Sequence, residues 1–383
     1  MAKNIFSVIL ILTLALLFAL PVSADYEALS SPVIGSWVLD KVYENASTAD
    51  RTVLDPESSA SLYAEKDNIY AFLADGTAEM TMEGVTSCGF WEKQDGSFRM
   101  VINSTNGNSD KTVINEPDID PLYEMEYIYD EDQNVLHRYW QDNAPDAYYH
   151  DLDFVYKQMP QGIWMMTSVY SREPGKEPQL LDPETSQSLY AESVNRLSLF
   201  RYEVINMVPA ETEYINETGE LKRSGDGWLL EFEDGFETQL HFDDRAGVLH
   251  RYWADDAADG GYLDLDFVYE MIPVGSWHLK YVYDLNGEQG PVFLGEEEEP
   301  ELYQETGCGY IFGPDGRASA GIPDEVPDEG EWSGNNGEIR LRFDDGREMV
   351  FAYDAKADVL HRYQAVDDPD AGHQDLDFVY LKD

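Results

Sequence analysis

Apolar and polar residues alternate along many short stretches of this 383-residue chain. The clearest case lies near the C-terminus, where residues 338–343 and 348–353 alternate on either side of the turn Asp345-Gly346. An Asp-Gly pair between two alternating runs is a strong short-range signal for a β-hairpin. Because such alternation places the apolar side chains on one face of a sheet, the chain is predicted to consist of half-buried antiparallel strands.

One pair of strands occurs three times. It reads Val-Leu-His-Arg-Tyr at 135–139, 248–252 and 359–363, followed by Asp-Leu-Asp-Phe-Val-Tyr at 151–156, 264–269 and 375–380. The histidines of the three copies, His137, His250 and His361, are 113 and 111 positions apart. This spacing predicts three tandem domains, at 33–158, 161–271 and 274–383, each with about seven or eight strands in a barrel or a sandwich.

The connections between the predicted domains are short. Five residues separate Tyr156 from Gly162, and five separate Tyr269 from Gly275. A linker of this length leaves little freedom, so adjacent domains are predicted to abut in a semi-rigid row.

A helix start occurs early in the first two repeats. Leu-Asp-Pro-Glu at 54–57 leads to Ser-Leu-Tyr-Ala-Glu at 61–65, and the same pattern returns at 181–184 and 188–192. Asp caps a helix, Pro suits its first turn, and Glu favours the positive end of its dipole. The third repeat keeps Pro-Glu-Leu-Tyr at 300–303. One short helix per repeat is therefore predicted.

The order of these motifs resembles that of small bacterial lipocalin-like domains. The first repeat carries the resemblance through Gly-Ser-Trp at 35–37, Phe-Leu-Ala-Asp-Gly-Thr at 72–77 and Gly-Phe-Trp at 89–91. The third repeat matches at 275–277, 312–316 and 330–332, whereas the second lacks the Asp-Gly hairpin and has Gly-Glu-Leu at 219–221. The resemblance implies an all-β fold of three tandem small antiparallel barrels, interiors that hold a small apolar molecule, and no enzymatic activity.

The resemblance also implies a structural contact inside each barrel. In lipocalin-like barrels a late arginine packs over the tryptophan of the first strand. Here a cation–π contact of this kind is expected between the arginines of the repeated stretch and the opening tryptophans. The residues are Arg138, Arg251 and Arg362, over Trp37, Trp164 and Trp277.

The repeated His-Arg-Tyr stretch is the first place to look for catalysis, because a His near two Asp side chains can act as a general base. On a strand, however, His137 and Tyr139 face one way while Leu136 and Arg138 face the other. Neither a nucleophile nor an oxyanion-hole motif accompanies the stretch. Cross-strand pairing, with aromatics inward and carboxylates opposite Arg or His on the outer face, is the favoured interpretation.

An acidic loop joins the two repeated strands in every copy. Ca²⁺ takes several carboxylate oxygens, so these aspartates are candidate ligands, although the full calcium-loop motif is absent and a solvated hairpin tip is the alternative. No motif for another cofactor occurs. The candidates are Asp142, Asp146 and Asp151; Asp255, Asp256, Asp259 and Asp264; and Asp367, Asp368, Asp370 and Asp375.

The net charge and the N-terminal sequence limit the classes of function that this protein can have. The net charge of −51, from 25 Lys+Arg against 76 Asp+Glu, disfavours binding to nucleic acid or to anionic membrane surfaces. Residues 1–24 have the basic start, short apolar run and small-residue cleavage site of a signal peptide, and no later stretch is apolar enough to span a bilayer. An exported protein, not embedded in a membrane, is predicted. Cys88 and Cys308 do not define a disulfide framework.

Two functions fit these observations. One is a non-enzymatic binding protein that holds a small apolar ligand inside its barrels. The other is an acidic array of filled domains that acts as a spacer, or that recognises divalent cations or a basic protein partner of unknown identity. A hydrolase or inhibitor is a third and weaker alternative. Interiors of several hundred cubic ångströms favour the first function, and solid interiors favour the second.

Overall fold

The computed structural model describes residues 26–29, 31–44, 51–105, 122–141, 151–172, 175–209, 214–225, 227–254, 264–287, 290–303, 309–321, 326–335, 337–365 and 375–382. The predicted signal peptide, 1–24, lies outside these residues. Within the described part of the chain, no helix is long and apolar enough to cross a membrane.

The first repeat forms one closed barrel. Strand β1 pairs with both β3 and β9, which closes eight antiparallel strands in chain order, and the short β2 adds to the edge of β1. The strands are β1 (Gly35–Glu44), β2 (Thr52–Val53), β3 (Ile69–Phe72), β4 (Thr77–Met82), β5 (Val85–Gln94), β6 (Ser97–Thr105), β7 (Tyr123–Asp130), β8 (Val135–Gln141) and β9 (Asp151–Met159).

The second repeat has the same topology, because its first strand pairs with its third and its last. Its strands are β10 (Gly162–Ser171), β11 (Gln179–Leu180), β12 (Arg196–Phe200), β13 (Glu203–Pro209), β14 (Tyr214–Ser224), β15 (Gly227–Phe232), β16 (Glu237–Asp243), β17 (Val248–Ala254) and β18 (Asp264–Ile272).

The third repeat closes in the same way. Its strands are β19 (Gly275–Asp284), β20 (Val292–Phe293), β21 (Gly309–Phe312), β22 (Arg317–Gly321), β23 (Asp328–Asn335), β24 (Glu338–Phe343), β25 (Glu348–Asp354), β26 (Val359–Ala365) and β27 (Asp375–Lys382). The all-β class and the three tandem barrels implied by the lipocalin-like resemblance are confirmed.

The predicted helix in each repeat is wrong. The segment after Asp55 forms consecutive turns, and the second repeat has only a one-turn 3-10 helix, Ala191–Val194. The reason is a tyrosine that ties the segment to the barrel: Tyr63 Oη accepts a hydrogen bond from the Val42 amide and donates one to the Leu54 carbonyl. Tyr190 and Tyr303 make the same pair of bonds. A chain held at these points lies across the barrel and is not wound into a helix.

The glycine of each Gly-x-Trp motif has a packing reason. Gly35 has a φ of +125°, and a Cβ at this position would lie 2.3 Å from Nε2 of Gln158 on the neighbouring strand β9. Gly162 and Gly275 have φ values of +105° and +139° and face Met271 and Lys382 in the same manner. The positive φ requires glycine, whereas the flexible side chains nearby could shift to admit a Cβ.

The barrels form a closed cluster and not the predicted row. A one-turn helix, α1 (Tyr26–Leu29), precedes the first barrel, and its Tyr26 Oη donates a hydrogen bond of 3.0 Å to Asp377 in the third. The Tyr26 ring also lies edge-on to Tyr283, at 4.8 Å between centroids. Between the first two barrels, Arg223 forms an ion pair with Asp40. Ile163, Met165 and Met271 of the second barrel pack against the core of the third, so each barrel contacts both of the others.

Candidate functional site

The acidic loops fall mostly outside the described residues. This applies to Asp142, Asp146, Asp255, Asp256, Asp259, Asp367, Asp368 and Asp370. Asp151, Asp264 and Asp375 are described, at the starts of β9, β18 and β27. Asp375 accepts a hydrogen bond of 3.0 Å from Asn286. Among the described residues no group of three or more His, Cys, Asp or Glu could hold a metal ion, so calcium binding stays a prediction about the loops.

The arginines of the repeated stretch point into the barrels but do not lie over the opening tryptophans. The Arg138 guanidinium is 4.7 Å from the Phe154 ring centroid, Arg251 is 4.5 Å from Phe267, and Arg362 is 4.5 Å from Phe378. The predicted contacts with Trp37, Trp164 and Trp277 are corrected accordingly. Each arginine faces the aromatic ring directly across the closing hairpin because the two residues are cross-strand partners. The cation over Trp277 is Lys382, at 5.5 Å.

A carboxylate from the turn segment closes one end of the first barrel. Glu65 forms an ion pair with Arg138 and accepts a hydrogen bond of 2.5 Å from the Tyr70 hydroxyl. Burial and the nearby Glu65 carboxylate raise the pKa of Tyr70 well above its usual range, so the hydroxyl stays protonated as a donor. In the second barrel Glu192 and Arg251 form the equivalent pair at 2.7 Å.

The repeated histidines pair with aspartates on the outer face of each barrel. His137 Nδ1 lies 2.9 Å from both carboxylate oxygens of Asp153, and the distances are 3.0 Å for His250 to Asp266 and 2.8 Å for His361 to Asp377. Each imidazole is stacked on the tyrosine two residues later. This geometry matches the cross-strand interpretation, because each His and Asp joins the two strands of the closing hairpin.

Aromatic side chains fill the first barrel. Tyr70 lies edge-on to Tyr156 with 5.4 Å between ring centroids, and Phe72 lies edge-on to Tyr127 at 5.7 Å. Trp91 lies edge-on to Phe72, with 5.9 Å between ring centroids. The third barrel contains the same cluster, in which Tyr310 and Phe351 are 5.1 Å apart. Edge-to-face rings at these distances fill a barrel interior tightly.

The second barrel lacks this aromatic cluster. Strand register aligns the three interiors: Tyr70 pairs with Trp37, Leu197 pairs with Trp164, and Tyr310 pairs with Trp277. Four interior positions that are aromatic in the other two barrels are leucine in the second. They are Tyr70, Phe72, Trp91 and Tyr127 in the first barrel, Tyr310, Phe312, Trp332 and Phe351 in the third, and Leu197, Leu199, Leu221 and Leu240 in the second.

A cavity of about 340 Å³ opens in the second barrel as a result. Leucine is smaller than the rings it replaces, and rigid strands do not collapse to fill the difference. Two of the four leucines line the cavity directly. Its apolar lining includes Leu197, Leu230, Phe232 and Leu240.

Polar groups surround this cavity. The Arg251–Glu192 ion pair lines it, and so do Asn206 and Glu217, whose side chains are joined by a hydrogen bond of 2.8 Å. Burial raises the pKa of Tyr269 to about 12, against a smaller opposing effect of Arg251, so its hydroxyl is neutral at ordinary pH. The site is therefore a cavity with a mixed lining, in which leucine and phenylalanine side chains face an ion pair and hydrogen-bonding groups.

Sequence reasoning noticed that the second repeat departs from the others but did not locate this site. The visible departure was Leu221, which stands where the other repeats have Trp91 and Trp332, but the leucines that line the cavity are Leu197 and Leu240. Strand register was needed to show that three further leucines share its environment.

No protein family model matches this chain, and no curated protein matches it. Among solved structures, one match is a crystal structure of a double mutant of the vaccine antigen transferrin binding protein B from Haemophilus parasuis Hp5. The match covers 90% of this chain and 75% of that chain, at 6% identity and a TM-score of 0.19. A TM-score this low carries no argument about function.

Proposed function

We propose that this protein is an exported, non-enzymatic binding protein whose second barrel holds a small apolar ligand. The first and third barrels are filled by their own aromatic side chains, and each contacts the second. The predicted signal peptide at 1–24 supports an activity outside the cytoplasm.

The observation that carries the proposal is the leucine-lined cavity of the second barrel. Its volume of about 340 Å³ falls in the range of small-molecule sites, roughly 300–1,000 Å³. An apolar wall with a few polar groups is typical of such sites, because burial of apolar surface supplies affinity while the polar groups fix orientation. Three barrels of one topology would all be expected to be filled if the chain needed only spacers.

The proposal is tested by filling the cavity. The neutral fluorescent probe N-phenyl-1-naphthylamine should bind the mature protein saturably, with one site per chain. The double variant Leu197→Tyr/Leu240→Tyr restores rings present in the first barrel and should weaken probe binding by roughly 100-fold or more, because the rings occupy the space that the probe needs. Fluorescence titration measures the dissociation constant.

Leu240→Met is the matched control, since it conserves volume and should leave probe affinity within about three-fold. Circular dichroism verifies that each variant is folded. Unchanged probe binding in the folded double variant would refute the assignment to the second barrel.

The spacer function remains as a second candidate, because two of the three barrels are filled and the chain carries a net charge of −51. In that function the acidic exterior recognises divalent cations or a basic protein. Native mass spectrometry of protein purified from its own host separates the two candidates. A retained small molecule favours the binding protein, and the bare polypeptide mass favours the spacer.

A further inference from the structure

Three charged side chains line the cavity of the second barrel. They are the carboxylates of Glu192 and Glu217 and the guanidinium of Arg251. Tyr269 also lines the cavity, but burial raises its pKa to about 12, so this hydroxyl is neutral at ordinary pH. Two negative groups against one positive group give the described lining a net charge of −1 at neutral pH.

Strand register places Glu217 on the inner face of this barrel. Leu197 on β12 pairs with Trp164, which is buried in the barrel core. Asn206 pairs with Leu197, and Glu217 pairs with Asn206. Because residues directly opposite each other on antiparallel strands project from the same face of a sheet, the Glu217 side chain lies on the face that Trp164 buries.

The first barrel has no charge along the corresponding row of paired residues. That row consists of Tyr70, Met80 and Ser87. In the third barrel the row ends at Asp328, whose carboxylate accepts a hydrogen bond of 2.5 Å from the guanidinium of Arg347. The second barrel therefore differs from the first in having an acidic group at this inner position, and from the third in the partner of that group.

The two carboxylates of the cavity have different partners. Glu192 forms an ion pair of 2.7 Å with Arg251, so these two charges offset each other. Glu217 accepts a hydrogen bond of 2.8 Å from the side-chain amide of Asn206, which is a neutral donor. The net negative charge of the described lining is therefore centred on Glu217, which is exposed to solvent.

Two further properties favour a cation over an anion in this cavity. Phe232 and Phe236 line it, with 6.1 Å between their ring centroids, and the faces of aromatic rings attract cations. The net charge of −51 on the whole chain raises the concentration of cations near the protein and lowers that of anions. A neutral ligand gains nothing from either effect.

We propose that the second barrel selects an apolar ligand that carries one ammonium group. This inference rests on the proposed function, because it names the class of ligand for the same cavity. The apolar part of the ligand packs against the leucines of the lining, and the ammonium group donates to the Glu217 carboxylate. Since Glu217 is exposed, the ammonium group stays partly hydrated, which limits the cost of its desolvation. Alkyl amines, like the lysine side chain, have a pKa of about 10.4 and are protonated at neutral pH.

Displacement of bound N-phenyl-1-naphthylamine by three matched compounds tests this selection. Phenylbutylamine, phenylbutanol and phenylpentanoate each have a phenyl ring at one end of a chain of four methylene groups, and their other ends are positive, neutral and negative. At low ionic strength the amine should bind roughly five-fold more tightly than the alcohol, and the carboxylate should bind more weakly than the alcohol. Equal affinities of the amine and the alcohol, or no displacement by the amine, would overturn the proposal.

Glu217→Gln removes the charge and keeps an oxygen that accepts from Asn206. It should weaken binding of the amine by roughly five-fold and leave binding of the alcohol unchanged, because only the charged end group loses its partner. Circular dichroism verifies that the variant is folded.

Glu237→Gln is the matched control, because it changes the net charge of the chain by the same amount. Glu237 is exposed and precedes Thr238, which lines the cavity, and adjacent residues of a strand project from opposite faces. Its affinity for the amine should equal that of the wild type. Losses of equal size in the two variants would assign the effect to overall charge and would contradict the contact with Glu217.

The ligand class and the proposed function can fail separately. If N-phenyl-1-naphthylamine binds in the second barrel but the amine and the alcohol bind equally, the cavity takes neutral apolar molecules and only the ligand class is wrong. If N-phenyl-1-naphthylamine does not bind the mature protein, both proposals fail. A preference for the amine that decreases as salt is added, with constant affinity for the alcohol, would support the ionic contact, because salt screens exposed charges.

Discussion

Four leucines distinguish the interior of the second barrel from those of the other two, and two of them, Leu197 and Leu240, line its cavity. The three interiors share one strand register, and their differences are confined to side-chain size at corresponding positions. Leu197 and Leu240 stand where Tyr70 and Tyr127 occupy the first barrel, and both leucines line the cavity of the second. At the scale of single residues, the proposed function rests on leucines at interior positions where the other two barrels have aromatic rings.

Buried tyrosines make stability sensitive to alkaline pH. Burial raises the pKa of Tyr269 and Tyr281 from 10.0 to about 12. Below pH 10 both the folded and the unfolded chain keep these hydroxyls protonated. Between pH 10 and 12 the unfolded chain ionises and the folded chain does not, so the free energy of unfolding should fall as pH rises through this window.

Urea midpoints measured at a series of pH values from neutral upward would check this prediction. The midpoint should be constant until the pH approaches that of free tyrosine ionisation and should then decrease. A midpoint that stays constant to about pH 12 would contradict the assigned burial of these hydroxyls.

The segment after Asp55, residues 56–67, was predicted to be a helix and forms turns instead. Asp55 does act as a cap, since its carboxylate accepts hydrogen bonds from the backbone amides of Glu57 and Ser58. The cap starts a turn and not a helix, because Tyr63 fastens the following residues to strand β1. Strand β1 has a register shift between Leu39 and Lys41, and the amide bonded to Tyr63 belongs to Val42, just beyond this irregularity.

Removing the Tyr63 hydroxyl should lower the stability of the first barrel. Tyr63→Phe leaves the Val42 amide and the Leu54 carbonyl without their partner, and Val42 is fully buried. We expect a loss of about 1–3 kcal/mol in the free energy of unfolding. Chemical denaturation followed by tryptophan fluorescence measures it.

Tyr123→Phe is the matched control, because Tyr123 lies on strand β7 with 43% of its surface exposed. That substitution should change the unfolding free energy by less than about 0.5 kcal/mol. Equal effects of the two substitutions would show that the Tyr63 hydroxyl does not hold the segment.

At the scale of the whole molecule, the three barrels contact one another. Tyr26 connects the segment before the first barrel to Asp377 near the end of the chain, and Arg223 joins the second barrel to Asp40 of the first. A cavity of about 170 Å³ is lined by residues of all three barrels. A row of separate domains, as the short linkers suggested, would have no such cavity.

The acidic loops permit a direct test of cation binding at this scale. If the loop aspartates hold Ca²⁺, calcium should raise the melting temperature and EDTA should reverse the rise, because a ligand bound only to the folded state stabilises it. Magnesium serves as the control for general screening of the net charge. Equal melting temperatures in calcium and in EDTA would remove the calcium hypothesis.

The sequence by itself determined the all-β class, the three repeats and the closing hairpin of each repeat. These features depend on local alternation and on turn residues such as Asp345-Gly346, which specify structure within a few positions. The helix prediction failed because the Tyr63 hydroxyl bonds to the backbone amide of Val42, 21 positions earlier in the chain. This tertiary contact outweighs the local preference for a helix. The predicted contact of Arg138 with Trp37 failed because the aromatic ring that an arginine meets depends on its cross-strand neighbour, which is Phe154.

Only the tertiary structure decided that the second barrel is hollow and that a cavity lies between the barrels. The cavity in the second barrel depends on the summed volume of side chains from several strands. No single position in the sequence predicts that sum. The cavity between the barrels depends on how three closed surfaces fit together. Alternation along a strand predicts the face on which a side chain lies, whereas the candidate site depends on the residues that the side chain contacts on that face.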